Sequence, residues 1–126
     1  DQFVVDSAGT GGWHVGNPAD RRMQAAANRR GIQLPSRARQ ISLDDFSAFD
    51  LILTMDDANL AAVTSLAREA GSQATAKIRP MLSYARQFNE TEVPDPYYGG
   101  DAGFEHVLDL LDDACAHLLE ELSSAA

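Results

Sequence analysis

Cysteine is almost absent: Cys115 is the only one in 126 residues, so no disulfide closes within the chain and a disulfide-stapled scaffold is excluded. No long uninterrupted apolar run occurs, which excludes a spanning helix. No charged-then-apolar leader opens the sequence either, so a reduced, cytoplasmic setting is the expectation. Basic charge is also scarce, with ten Lys and Arg against nineteen Asp and Glu, a formal net charge of −9. Clustered cations are what hold a phosphate backbone, so no nucleic-acid partner is expected, and no membrane partner. What is there suits one globular domain: the length is near the commonest domain size, and 44% of positions are hydrophobic. No internal repeat, linker or low-complexity segment divides it.

The charge is unevenly placed. Residues 1–43 carry Arg21, Arg22, Arg29, Arg30, Arg37 and Arg39 against three aspartates, a balance of +3, and the remainder carries −12. The basic third is a candidate to face an anion. From Asp101 onward there are seven acids and no Lys or Arg, the pattern of a solvated outer helix face.

Phe3-Val4-Val5 followed by the small residues Asp6 to Gly12 predicts a strand feeding a glycine-rich turn. Asn17-Pro18-Ala19-Asp20 predicts an N-cap, a proline at the first helical position and a first-turn acid, opening a helix that stops at Gly31. Ser42 to Phe46 predicts a short capped helical turn. Leu51 to Met55 is too short for a helix and too continuous for an exposed strand, so a central strand buried on both faces is expected. Asp56 then caps a helix carrying Leu60, Val63 and Leu66 and ending at Gly71, and Lys77 to Leu82 is a further strand candidate. In the last helix Phe104, Val107, Leu108, Leu111, Cys115, Leu118, Leu119 and Leu122 form one stripe, with Asp109, Asp112, Asp113, Glu120 and Glu121 away from it. Strands alternating with helices predict an α/β domain with a parallel sheet and helices on both faces. Ligands in such a fold sit beyond the carboxyl ends of the strands, here the loops after Val5, Met55 and Leu82.

The glycine-rich loop fits neither standard nucleotide pattern. His14 stands where the dinucleotide fingerprint wants its third glycine, and Gly11 to Gly16 is followed by Asn17-Pro18 where a phosphate loop needs Lys and Ser or Thr. Trp13 beside His14 reads equally as a ligand-facing aromatic and as a core plug. His106, Asp109, Asp113 and His117 share one side of the last helix, but zinc ligands usually come from more than one element, so no metal is assigned and a solvated face is the expectation. Cys115 on the apolar stripe is expected to be an inert core residue. Ser7 lacks the Gly-x-Ser-x-Gly surround of a hydrolase nucleophile and is read as a hydrogen-bonding loop support. The most unusual segment is Val93-Pro94-Asp95-Pro96-Tyr97-Tyr98-Gly99-Gly100. An aspartate between two prolines is held on both sides. It reads either as a rigid turn stiffened by aromatic packing or as a positioned acid with aromatic walls, with the fixed geometry and low polarity that general acid work needs.

Several segments together resemble the low-molecular-weight protein tyrosine phosphatases. They are Asp6-Ser7-Ala8-Gly9-Thr10, Trp13-His14-Val15-Gly16 with Pro18-Ala19-Asp20, Ala38-Arg39-Gln40, Phe49-Asp50-Leu51-Ile52-Leu53 with Met55-Asp56 and Asn59-Leu60, and Asp95-Pro96-Tyr97-Tyr98-Gly99. They run in family order across nearly the whole chain. The resemblance implies a small doubly wound parallel sheet of about four strands, no cofactor, and hydrolysis of phosphotyrosine or another aryl phosphate through a cysteinyl-phosphate. Asp95 matches the aspartate that protonates the departing phenolate and then helps activate water. Trp13, His14, Tyr97 and Tyr98 match positions that line the substrate cleft, and Ser7 supports the phosphate loop.

The family's nucleophile motif, a cysteine followed after five residues by arginine, has no counterpart here, because Glu121 stands six residues beyond Cys115. The chain is therefore expected to be a single phosphatase-like domain, residues 1–126, lacking an N-terminal β-loop-α unit whose strand would be central in the sheet. The fragment alone is expected to be inactive. A second departure is Ser36, where the family often has a histidine that supports the phosphate loop. The alternative is a catalytically inactive module that binds phosphotyrosine or a kinase; arsenate reduction would need more redox cysteines. Tyr97 and Tyr98 are also candidate targets of a tyrosine kinase.

Overall fold

The computed structural model describes residues 3–12, 14–95 and 100–125. Its helices are α1 (Arg21–Arg29), α2 (Asp45–Ala48), α3 (Asp57–Ala70) and α4 (Asp101–Ala125), and its strands are β1 (Leu51–Thr54) and β2 (Lys77–Pro80). The strands pair in parallel, Leu51 opposite Lys77 through Thr54 opposite Pro80, with α3 as the crossover between them. This is the expected α/β class, with a parallel sheet and helices on both faces.

The ends of α3 follow the sequence signals. Asp56 is extended and its Oδ1 accepts the Asn59 amide at 2.7 Å, satisfying a donor that has no partner inside the helix. Gly71 ends it at φ +68°, a left-handed conformation that a Cβ would resist. On the sheet's other side Leu53 and Met55 pack on a core of Met81, Leu82, Leu110 and Ala114. A second core joins α1 to α4 through Ala26, Phe104 and Leu108, with Met23 against them.

The charge split has a structural meaning. Arg30 donates to Glu105 at 2.8 Å, Asp109 at 2.9 Å and Asp112 at 3.2 Å, Arg29 donates to Glu105 at 2.9 Å, and the Arg22 guanidinium lies 4.8 Å from the Phe104 ring centre. Arg29 and Arg30 hold the Glu105 carboxyl below its ordinary range. The acids of α4 are thus partly a docking face for α1, which corrects the reading of a merely solvated face.

Other expectations need correction. Phe3 to Val5 forms no regular strand, and Val4 and Val5 are each 88% exposed; an extended segment becomes a strand only when a neighbour completes its ladder, and none of the described residues does so. Helix α1 begins three residues late, capped by Asp20, whose carboxylate accepts from the Arg22 and Met23 amides. Asn17 and Pro18 are instead drawn into pairing with Arg37 and Ala38. Strand β1 is half-buried along Leu51 to Leu53 rather than buried on both faces, because β2 is its one ladder partner among the described residues. Strand β2 stops at Pro80, and Met81 to Tyr84 tighten into a 3₁₀ turn. Finally, Cys115 is exposed. The buried stripe of α4 runs through Leu110 and Ala114, where a small residue lets Met81 and Leu82 approach closely, so Cys115 falls off its edge and Leu119 is 52% exposed.

Candidate active site

Two loops carry the residues singled out in the sequence. The first, Asp6 to Pro18, is laced to residues 37–41 by the main chain. The Gly9 amide donates to the Arg39 carbonyl at 2.8 Å, Ile41 to Gly9 at 2.9 Å, Gly16 to Ala38 at 2.7 Å and Ala38 to Asn17 at 2.8 Å. Arg39 braces this lacing from the side: its guanidinium makes a two-point bond to Asp45 at 3.0 and 3.1 Å and reaches Asp6 at 3.1 Å. A planar fork on a carboxylate fixes direction as well as distance. Asp45 is buried and also accepts the Ser42 amide at 2.9 Å. The Arg39 bonds hold its carboxyl below the ordinary range, against the opposing effect of burial.

Ser7 and His14 both lie in this loop and are exposed. The Ser7 amide donates to Asp6 Oδ1 at 2.8 Å, and His14 Nδ1 is 3.5 Å from the Asn17 side-chain amide. Both are open to a ligand in solvent. Trp13, Tyr97 and Tyr98 lie outside the described residues.

The second loop runs from Ala85 to the exposed Asp95, and carboxylates hold it. Asp113 of α4, with its side chain 2% exposed, accepts the Arg86 amide at 3.0 Å and the Gln87 amide at 2.9 Å. Burial alone would raise its carboxyl; the Gln87 and Arg86 amides and the His117 charge outweigh that and hold it below the ordinary range. Further along, Glu90 lies 2.9 Å from His106 Nε2, and that ring meets Phe88 edge-on at 5.8 Å. Glu92 Oε2 accepts the Asp57 amide at 2.9 Å, and the Val93 amide donates to the Met55 carbonyl at 2.6 Å. Asp95 stands two residues beyond that last bond, at most about 7 Å of chain from Val93, whose amide is bonded just past the carboxyl end of β1. This is the edge where ligands of open parallel sheets sit.

Ser7 and His14 therefore share one loop seated on residues 37–41, while Asp95 rides a separate loop seated on β1. The set His106, Asp109, Asp113 and His117 disperses: His106 meets Glu90, Asp109 meets Arg30, and Asp113 holds loop amides with His117 beside it. Desolvation of its sulfur, with the Asp112 charge added, pushes the Cys115 thiol up although the residue is exposed, the opposite of what a nucleophile needs. An open cleft of about 550 Å³ lies elsewhere, between the 3₁₀ turn and the last turns of α4, lined by Arg79, Ser83, Tyr84, Arg86, His117 and Glu120 among others. Neither Asp95 nor His14 borders it. Sequence reasoning missed the Arg39–Asp45 brace and the roles of Asp113 and Glu92; nothing in the sequence signals Asp113, which the helical periodicity sets away from the apolar stripe.

A family model described as low molecular weight phosphotyrosine protein phosphatase matches residues 1–126. A Synechocystis sp. protein named for the low molecular weight protein-tyrosine-phosphatases is 49% identical over 121 residues, covering 96% of this chain and 76% of its own. The Homo sapiens low molecular weight phosphotyrosine protein phosphatase is 41% identical over 123 residues, 96% of this chain and 75% of its own. Among solved structures, a protein tyrosine phosphatase from Entamoeba histolytica with Hepes in its active site superposes with a TM-score of 0.91 at 39% identity, covering 98% of this chain and 78% of that one.

Proposed function

The chain belongs to the low molecular weight phosphotyrosine protein phosphatase family, and on that premise we propose that the whole protein hydrolyses phosphotyrosine or related aryl phosphate esters with Asp95 as general acid and base. A cysteine thiolate, supplied by a segment preceding Asp1, attacks phosphorus. The P–S bond forms as the P–O bond to the aryl group breaks, and the Asp95 carboxyl gives its proton to the departing oxygen. The Asp95 carboxylate then takes a proton from water, whose oxygen attacks phosphorus, breaking the P–S bond and returning the thiolate with release of phosphate. On this reading Trp13, His14, Tyr97 and Tyr98 line the aryl-binding cleft, Ser7 supports the phosphate-holding loop, and residues 1–126 form one domain completed by the preceding β-loop-α unit. The reaction takes place in the cytoplasm, and Tyr97 and Tyr98 are targets of a tyrosine kinase.

The observation that carries this reading is the Val93 to Met55 hydrogen bond, which ties an exposed aspartate to the carboxyl end of a parallel strand. Pro94 limits the backbone between the tie and Asp95. Val4 and Val5, exposed where a family strand is expected, fit a sheet that a further strand would complete.

The second reading is an inactive phosphotyrosine- or kinase-binding module on the same fold. Aryl phosphate assays of the whole protein separate the two. Vanadate-sensitive turnover, slowed about 100-fold or more by Asp95→Asn for esters of poor leaving groups and far less for good ones, is the expected result. Equal slowing of both removes Asp95 from the acid role, and no turnover in the unmodified protein favours the binding module.

A further inference from the structure

A general acid must stay within hydrogen-bond reach of the atom it protonates, yet Asp95 is exposed on a loop. Its placement therefore depends in part on what holds the residues just before it. Pro94 has a fixed φ, so a shift of residues 92 and 93 carries Asp95 with it. Val93 is held through its own amide, which no side chain controls. Glu92 is held through its side chain: its Oε2 accepts the Asp57 amide at 2.9 Å. Asp57 is the first residue of α3, where an amide has no partner inside the helix. Asp56 reaches past it to Asn59, so the two caps divide the first turn between them, and the helix dipole favours a carboxylate there. The other side-chain fasteners of this loop, Glu90 with His106 and the Arg86 and Gln87 amides on Asp113, act five to nine residues before Asp95.

We propose that Glu92 is a positioning residue for the reaction: by docking on the amino end of α3 it sets, through Val93 and Pro94, where the Asp95 carboxyl meets the leaving oxygen. The inference rests on the general acid role of Asp95. It assigns Glu92 no contact with substrate and no proton transfer. Because displacement of a catalytic group by about 1 Å lowers the rate by up to about 100-fold, loosening this dock weakens leaving-group protonation while phosphate binding stays intact.

The test compares Glu92→Ala and Glu92→Gln with Asp95→Asn in the whole protein, using p-nitrophenyl phosphate as the good leaving group and phenyl phosphate as the poor one. For Glu92→Ala the expected kcat/KM falls about tenfold on phenyl phosphate and less than about twofold on p-nitrophenyl phosphate. Inhibition by inorganic phosphate stays unchanged, and amide exchange at Asp57 and Val93 speeds up. Glu92→Gln keeps an acceptor oxygen and recovers most of the rate. A Glu92→Ala protein that slows both esters equally, or slows neither, while Asp95→Asn keeps its leaving-group signature, overturns this proposal alone. If Asp95→Asn itself slows both equally, the general-acid reading falls and this proposal falls with it.

Discussion

The loop from Asp6 to Pro18 is held to residues 37–41 by main-chain hydrogen bonds, whereas the loop from Ala85 to Asp95 keeps the main-chain Val93–Met55 bond but relies besides on the side-chain carboxylates of Asp113 and Glu92, which accept backbone amides. Both loops present exposed polar residues, His14 in one and Asp95 in the other. The difference lies in what a mutation or a proton can reach. Main-chain lacing survives most side-chain changes and does not titrate, while a carboxylate anchor is lost by one substitution or one protonation. The loop given to the general acid is thus the more adjustable of the two.

The largest expected effect tests that contrast directly. Asp113→Ala removes the Oδ2 that accepts both the Arg86 and the Gln87 amide and leaves those N–H groups without their acceptor at a side chain with almost no access to water. Thermal melting of the whole protein should fall by roughly 8 °C. Amide exchange should quicken at residues 86 and 87 but not at Gly9 or Ala38. A shift under about 2 °C would erase the distinction between the loops.

Asp45→Ala probes the braced side of the laced loop. It removes the two-point Arg39 bond and the Ser42 amide bond, and a hydrogen-bonded charge of this kind contributes about 2 kcal/mol, discounted here because Arg39 is 36% exposed and keeps Asp6. Urea unfolding should show a loss of about 1 to 2 kcal/mol with exchange at Gly9 and Ala38 little changed. Rapid exchange at those amides would mean that the brace, not the lacing, holds the loop.

Acid should reach both loops through their buried carboxylates. Asp113 and Asp45 are both depressed below the ordinary value of 3.8, so the folded state binds their protons less readily than the unfolded state. Their stabilisation is complete above that value and is lost as pH falls through the lower folded values. Stability measured by urea should decline from about pH 4 downward, less steeply in Asp113→Ala. Identical slopes for the two proteins would remove Asp113 as a source of the acid sensitivity.

What is legible in the sequence is local. The Asp56 cap, the Gly71 stop and the long α4 repeat depend on residues within a turn of one another, and each appears where its pattern places it. Asn17-Pro18 fails as a helix start because pairing with residues 37 and 38 outweighs a cap that Asp20 supplies equally well three residues later. The apolar repeat puts Cys115 in the core because it treats alanine as neutral, whereas the buried contact of α4 with Met81 and Leu82 runs through Leu110 and Ala114. Asp95 is legible because two prolines flank it. Asp113 and Glu92 are not, since each meets a backbone amide 26 or more residues away, and an amide donor carries no residue identity for a pattern to find.

If the first loop depends on main-chain conformation, its glycines should matter by their torsions rather than by the space around them, which gives the smallest and sharpest comparison. Gly16 has φ +85°, and a Cβ added there would meet nothing within 4 Å; its amide donates to Ala38 at 2.7 Å. Alanine at this position meets no clash but resists the left-handed conformation, at a cost of about 1 to 2 kcal/mol. Gly12 carries no such torsion, and a Cβ there would come within 3.0 Å of Gln40 Oε1, the free end of a flexible side chain. Because the Gln40 amide contact with the Thr10 carbonyl is long at 3.4 Å, that side chain can turn away cheaply, and Gly12→Ala should change urea stability by less than about 0.5 kcal/mol. The crowded site would then be the tolerant one and the open site the sensitive one. The reverse order would show that side-chain packing against Gln40, rather than the main-chain lacing, fixes this loop.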